Sequence, residues 1–484
     1  MTADSVLISR GPGETRVAVL SDGRLKELLV AREGALSVAG NVYLGRVEAV
    51  NKGIEAAFVD IGLGRSGFLA LPEARPVGSE SAGDHIADYV NEGDAVLVQV
   101  LRDPAEDKGA KLTTHVNLAG VNLVFRPGHP GVSVSRRIED EGERGRLTAA
   151  IEALAPEGGG FIVRTAASGA AEDALGTEVQ ALARRWKDIC LRRANAKAPS
   201  ALSVEPGPAL RVLRDHGPGI ERIVTDDPET LREVREYCQA ELPALAAAIE
   251  AHQGGQALFE AFGVEEQIDE ALSPAVALPG GGSLIISQTP ALCAIDVNTG
   301  AAVGGLGGGS KEQTAFEVDL EAAAEAARQI RLRNISGLIV VDFVPVRDPG
   351  HKAEVLGALR AAVAGDPLGP QVIGYTAMGL VEMTRRRHGP SLLEILCLAF
   401  EDRAGPSKSP LTVALAALRG VLREGQGASV PLTLRAPPAV IEALRGPAKA
   451  ALKEAEQRLG LAITAVADQT FAAEGWEIVP AKDP

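Results

Sequence analysis

Ala294-Ile295-Asp296-Val297-Asn298 and Ile339-Val340-Val341-Asp342-Phe343 are two short apolar, β-branched runs, each carrying one aspartate at or near its end. Such runs read as strands of a sheet covered on both faces, where an unpaired carboxylate is costly to desolvate. Between them lie a Gly-rich loop, Gly300 to Gly309, and a predicted helix from about Lys311 to Arg333. In that helix Phe316, Leu320, Ala323, Ala327 and Ile330 share one face. A strand, crossover helix and strand of this kind can set the two strand ends side by side, so that Asp296 and Asp342 converge on one hard cation. Mg²⁺ takes one or two carboxylates and keeps water positions open for a phosphate substrate. Asn298, two residues past Asp296, faces the same way and is placed to orient a carboxylate or a bound water. Taken singly, each aspartate better suits a turn or a helix cap, and it is the pairing that favours a metal site.

Composition bounds the rest. A chain of 484 residues with 46% hydrophobic content has length for several domains. The four cysteines, Cys190, Cys238, Cys293 and Cys397, are far apart and form no Cys-x-x-Cys pair, which argues against a disulfide framework or a local zinc clip and favours a reducing cytosol. No signal-peptide pattern and no membrane-length apolar run is expected. A formal net charge of −15 excludes a bulk electrostatic binder of nucleic acid, leaving local basic clusters and a metal to hold such a ligand.

From the start, Ser5 to Ser9, Arg16 to Leu20 and Leu25 to Ala31 read as strands between glycine turns. Closely spaced strand-like runs follow, Val42 to Val47, Gly53 to Gly62, Gly67 to Leu69 and Glu92 to Val100, and this stretch resembles the S1-type OB-fold RNA-binding barrel. The resemblance matches its base-stacking aromatics to Phe58 and Phe68; a place in the barrel core is the competing expectation for both. Ser135-Arg136-Arg137-Ile138 and Gly160-Phe161-Ile162-Val163-Arg164-Thr165 belong to a second β-rich unit. Arginine beside a hydroxyl at a strand end suits a terminal phosphate, though a lone Arg-Thr is more often a surface ion pair. A long helix is predicted over about Ala171 to Lys197, and Pro199 to Pro208 reads as a linker. Residues 209–268 alternate strand and helix and are expected to rejoin the opening sheet. Arg385 to Arg387, near the aspartates, reads as a phosphate clamp or a solvated face. Gly304 to Lys311 imitates a P-loop, but its order is Gly-Ser-Lys, not Gly-Lys-Ser/Thr, which favours a plain loop.

Together with Thr314-Ala315-Phe316, Leu320-Glu321-Ala322-Ala323, Arg331-Leu332-Arg333-Asn334 and Gly379 to Arg385, the aspartate-bearing runs make the chain resemble the bacterial ribonuclease E/G family over nearly its whole length. The resemblance implies a Mg²⁺-dependent endoribonuclease of the cytoplasm that cuts single-stranded RNA, prefers 5′-monophosphorylated ends, and acts in rRNA and mRNA processing and decay. It implies Asp296 and Asp342 as metal ligands with Asn298 in support, a 5′-sensor of Gly120, Val124, Arg164 and Thr165, and substrate-channel contacts at Phe58, Phe68 and Lys108; Arg385 is the expected additional RNA contact.

The implied architecture is α/β and multidomain. An RNase H-like fold (residues 1–36 and 208–272) is interrupted by the S1-type OB-fold barrel (37–117) and the 5′-sensor (118–207). A DNase I-like α/β catalytic domain (273–397), a linker (398–411) and a small C-terminal α+β domain (412–484) follow. The family's Cys-Pro-x-Cys zinc link is missing, with only Cys397 near its place, so neither zinc nor a zinc-linked dimer is expected, while another homo-oligomer is allowed. The loop 301–310 has no basic residue, and Val344-Pro345-Val346 stands where the family usually has an acid. These two departures carry the expectation of reduced or altered activity, and a compact member without the long scaffold tail is expected. A catalytically weak RNA-binding or ribosome-associated factor of the same fold is the second expectation.

Overall fold

In the computed structural model, which describes residues 5–76, 83–104, 108–156, 158–300, 311–398, 406–428 and 430–481, the chain opens as an antiparallel meander. Its strands are β1 (Ser5–Gly11), β2 (Glu14–Ser21) and β3 (Arg24–Arg32). The first turn needs glycine twice over: Gly13 has a φ of 66°, and a Cβ there would lie 2.6 Å from that of Ala451.

The next strands form the barrel: β4 (Val42–Asn51), β5 (Ala56–Asp60), β6 (Gly67–Ala70), β7 (Ala95–Arg102) and β8 (Lys111–Thr113). They pair in the order β4-β5-β6-β8-β7, and β7 returns to β4 with Val42 opposite Gln99. Closure leaves five strands around Val47, Ala57, Val59, Leu69, Val98, Val100 and Leu112, and this closed sheet fits an OB-like domain. Then β9 (Leu118–Ala119), β10 (Leu123–Pro127), β11 (Gly131–Val134) and β12 (Gly159–Val163) make a small sheet in the order β11-β12-β10-β9. The helix Glu172–Asn195 packs Leu175, Val179, Leu182 and Ile189 into the same core.

The expected linker after this helix is partly a strand, β13 (Ser200–Ser203), which pairs antiparallel with β4. Four residues are too few to show an alternation, and the neighbouring prolines that suggest a linker also favour extended backbone.

β14 (Arg222–Thr225) runs parallel to β1, Ser5 opposite Arg222, and β15 (Ile249–Ala251) runs parallel to β14, giving the order β15-β14-β1-β2-β3. A six-stranded sheet follows: β16 (Ala275–Ala277), β17 (Ser283–Gln288), β18 (Cys293–Asn298), β19 (Gly337–Asp342), β20 (Gln371–Tyr375) and β21 (Val381–Arg385). Their order is β16-β17-β18-β19-β21-β20, antiparallel except for the β18–β19 pair.

Here the expectation of a sheet covered on both faces is wrong. Leu284, Ile286, Cys293, Ile295, Val297, Ile339, Val341, Val381 and Met383 are buried against the helices Lys311–Leu332 and Pro349–Val363. The alternate residues Ile285, Asp296, Asn298, Leu338, Asp342 and Glu382 are exposed. Apolar side chains on the open face, among them Ile285 and Leu338, hide the period of two that marks a half-buried strand.

The last part is a three-stranded sheet of β22 (Leu432–Ala436), β23 (Ile463–Ala467) and β24 (Glu477–Pro480), packed with the helices Pro410–Glu424, Pro438–Arg445 and Lys449–Leu459. It is tied to the opening hairpin by a buried charge cluster. Glu14 meets Arg419 at 2.6 Å, Arg32 at 2.8 Å and Arg16 at 4.0 Å, while Arg32 also donates to Thr412 Oγ1. Burial pushes the Glu14 carboxyl up, and Arg419, Arg32 and Arg16 outweigh it, leaving it below its ordinary value. The expected 398–411 linker is pinned at both ends, Leu398 N donating to Ser407 O and Ser409 N to Leu396 O; its middle lies outside the described residues.

The chain divides into two compact units. One comprises Met1–Ala35, Glu221–Arg232 and Ala248–Pro484; the other, Leu36–Ile220 with Glu233–Ala247, holds the barrel and the small sheet.

Candidate active site

β18 and β19 are the parallel pair, and their register sets Asp296 directly opposite Asp342. Opposed residues of neighbouring strands share a face at a strand spacing of about 4.8 Å, so both carboxylates stand on the open side of the sheet. Asn298, two residues on, donates from Nδ2 to Asp296 Oδ2 at 2.8 Å, which fixes one carboxylate oxygen and leaves the other free to point outward. Ile285 stands opposite Asp296 on β17, and Ser283 opposite Asn298.

Two carboxylates of the helix Lys311–Leu332 anchor the chain where it leaves Asp342. Asp319, fully buried, accepts from Val344 N at 2.9 Å; Glu312 accepts from Arg347 N at 2.7 Å and Asp348 N at 2.9 Å. Burial pushes Asp319 up to about 7 against the opposing effect of the Val344 amide. The amides of Asp348 and Arg347 hold Glu312 below its ordinary value. Asp319 Oδ2 and Tyr375 Oη are two of the buried side-chain atoms without a hydrogen-bond partner among the described residues.

The donor set fits Mg²⁺. It is two hard carboxylates side by side with an amide holding one of them, and among the described residues no cluster of three or more His, Cys, Asp or Glu competes with it. Loop 301–310, with all of the P-loop-like stretch except Lys311, lies outside the described residues.

Arg385 does not fit its expected place on an RNA-facing surface. Its guanidinium is buried, donating from Nε to Asp366 Oδ2 at 2.7 Å and from Nη1 to Asn334 Oδ1 and Ile335 O. A residue pointing inward from β21 fills the interior whatever its charge, and Asp366 compensates it. Arg386 and Arg387 are the exposed members of the run.

In the other unit, Phe58 and Phe68 are register partners on β5 and β6, ring centroids 6.1 Å apart and edge to face. Ala57, Val59 and Leu69 on the same strands point into the barrel, so both phenylalanines lie half-buried on its outer side, not in the core. Lys108 is exposed, three residues before Lys111, the register partner of Phe68.

Gly120, Val124, Arg164 and Thr165 gather at one end of the β9–β12 sheet. Arg164 Nη1 donates to Gly120 O at 2.6 Å and Val121 O at 3.3 Å, and Nη2 to Asp215 Oδ1 at 3.0 Å. Thr165 Oγ1 lies 3.0 Å from Ser135 Oγ. Val124, on the central strand β10, is half-buried between Ala119 and Ile162. A Cβ on Gly120 would lie 2.1 Å from Glu178 Oε1 and would have to displace that carboxylate, which accepts from Asn122 N and Leu123 N and shapes the turn. Asp215, Ser135 and Glu178 were not anticipated from the sequence. Each reaches its partner across 30 residues or more, and no local pattern marks them.

No helix among the described residues is long and apolar enough to cross a membrane. A model of the ribonuclease E/G family matches residues 117–388. Ribonuclease G of Escherichia coli K12 is 37% identical over 99% of this chain and 100% of its own length, and ribonuclease G of Haemophilus influenzae 36% over the same shares. Ribonuclease E of Escherichia coli K12 is 38% identical over 79% of this chain and 36% of that protein. A family match spanning more than half the sequence and relatives aligned from end to end, on a fold that sets two aspartates in register, lead to one assignment: the chain belongs to the ribonuclease E/G family.

Proposed function

We propose that the protein is an endoribonuclease of RNA processing and decay that depends on Mg²⁺, cuts single-stranded RNA and prefers 5′-monophosphorylated ends. The endoribonuclease activity follows from family membership and from relatives named ribonuclease G and ribonuclease E. The observation carrying the metal dependence is the parallel register of Asp296 and Asp342 with Asn298 bonded to the first. Mg²⁺ bound there would supply Lewis-acid stabilisation of the scissile phosphate and a more acidic water. Asn298 keeps the Asp296 carboxylate turned to the open face, and Asp319 and Glu312 fix the backbone just beyond Asp342. Phe58 and Phe68 offer an outer face on which bases stack, with Lys108 for the backbone charge. Arg164 and Thr165 supply a guanidinium and a hydroxyl for a terminal phosphate.

On this reading the β15-β14-β1-β2-β3 sheet is the RNase H-like part and the β16–β21 sheet the DNase I-like part, and the enzyme works in the cytoplasm. The test is cleavage of a 5′-monophosphorylated A/U-rich oligonucleotide with and without Mg²⁺. Asp296→Asn and Asp342→Asn should each lower kcat by about 1,000-fold or more, the loss of roughly 4 kcal/mol of charge stabilisation, with RNA affinity within a few-fold of the parent. Undiminished Mg²⁺-dependent cleavage in either variant would falsify the assignment. RNA binding by the parent without any cleavage would point to the binding-factor alternative.

A further inference from the structure

The Arg164 guanidinium is already engaged by an anion of the protein's own. Nη1 donates to the carbonyls of Gly120 and Val121, and Nη2 is ion-paired with Asp215 at 3.0 Å. An incoming phosphate therefore meets a guanidinium already engaged on two of its nitrogens, beside a carboxylate of the same sign. Asp215 also has a second seat: Arg214 Nε reaches its Oδ1 at 3.2 Å and Nη2 its Oδ2 at 3.4 Å. Arg214 is itself held by Glu205 at 2.6 Å, and Glu205 by Arg185 at 2.7 Å. Arg214 is buried while the Asp215 side chain is 44% exposed, so the carboxylate is the partner that solvent and a ligand can reach. If Asp215 lets go of Arg164 it keeps Arg214, and no buried charge is orphaned.

We propose that Asp215 is a resident anion of the 5′-end pocket, occupying Arg164 until a terminal phosphate takes its place, so that its charge sets how strongly the pocket prefers phosphorylated RNA ends. The proposal rests on reading Arg164 and Thr165 as contacts to the 5′-phosphate. With the resident carboxylate in place, a phosphate gains Arg164 only by displacing an existing ion pair and approaching a like charge. A 5′-hydroxyl end has no such exchange to make. Neutralising Asp215 therefore acts on phosphorylated ends selectively. It leaves Arg164 held by Gly120 O and Val121 O, so the guanidinium keeps its position.

The test uses the full chain and two 3′-labelled, A/U-rich single-stranded oligonucleotides of one sequence, one with a 5′-monophosphate and one with a 5′-hydroxyl, at fixed salt and Mg²⁺. The readout is the ratio of their kcat/KM values. Asp215→Asn should raise that ratio three- to tenfold, Asp215→Ser should do the same, and Asp215→Glu, which keeps the charge, should stay within about twofold of the parent. Arg164→Ala should bring the ratio close to one. If Arg164→Ala leaves the ratio untouched, the end-pocket reading fails and takes the proposal with it. If Arg164→Ala collapses the ratio while the two neutral variants leave it unchanged or lower it, only the proposal is overturned, and Asp215 holds Arg164 in place instead of competing for it.

Discussion

Phe58 and Phe68 are large apolar side chains left half-exposed on a barrel whose interior is filled by their strand neighbours, and a ring in that position is free to receive a base. Stacking is worth roughly 1–3 kcal/mol per base, so Phe58→Ala and Phe68→Ala should each weaken RNA binding by about 5- to 150-fold while leaving the thermal midpoint nearly unchanged. Fluorescence anisotropy beside a melting curve checks both halves; an unfolded variant would return the rings to the core. At this scale the sequence was informative wherever a residue's role depends on its near neighbours. Asp296 and Asn298 are two apart on one strand face, and their hydrogen bond is readable from that spacing. Arg385 was misleading because its compensating Asp366 lies 19 residues earlier across a turn, so a run of three arginines looked uniformly solvated. Arg164 was legible as an anion-holding residue, but the anion it meets here, Asp215, is 51 residues away.

Elements were read more evenly than side chains. The predicted helix over Lys311 to Arg333 is present as Lys311–Leu332, with Phe316, Ala323, Ala327 and Ile330 buried as their spacing requires and Leu320 packed at the edge. The crossover does lay β18 beside β19. The open face of that sheet was illegible, because Ile285 and Leu338 make exposed positions look like interior ones. One buried residue of the helix also makes its packing depend on pH. Asp319 titrates at about 7 when folded, against 3.8 ordinarily, so between those values the folded chain holds a proton that the unfolded chain has lost. Its contribution to stability is therefore fully present below about pH 4 and is lost as pH rises to 7, a change on the order of 4 kcal/mol at 1.36 kcal/mol per unit. Asp319→Asn keeps an acceptor for Val344 N and removes the charge. It should raise the unfolding midpoint measured by calorimetry at pH 8 and change it little at pH 4; an equal effect at both values refutes the buried-charge account.

At the scale of the whole molecule, the missing Cys-x-x-Cys pair leaves the expectation of no zinc link to be tested. Cys190 is exposed and the other three are buried, and Cys397 has no second cysteine in a Cys-x-x-Cys pair to complete a zinc clip. Purified protein should contain no stoichiometric zinc, and a zinc-selective chelator should leave its sedimentation unchanged; one zinc per one or two chains in elemental analysis overturns this.

The opening sheet carries a different consequence, for the order in which the molecule is made. β1 pairs with β2 almost at once, but its other edge takes β14, whose first residue, Arg222, is opposite Ser5. At 5–20 residues per second a ribosome needs roughly 10–40 s to deliver that partner. During this interval the nascent hairpin shows a row of unpaired amides and carbonyls, a template for any neighbouring strand. The ring of the barrel needs nothing from beyond its own segment to close, since β7 and β8 complete it by Thr113, and only the outer edge of β4 at Val42 to Leu44 waits for β13. Synthesis therefore delivers a closed barrel ring while the first sheet is still open, and the free edge of β1 is exposed to mispairing until β14 arrives.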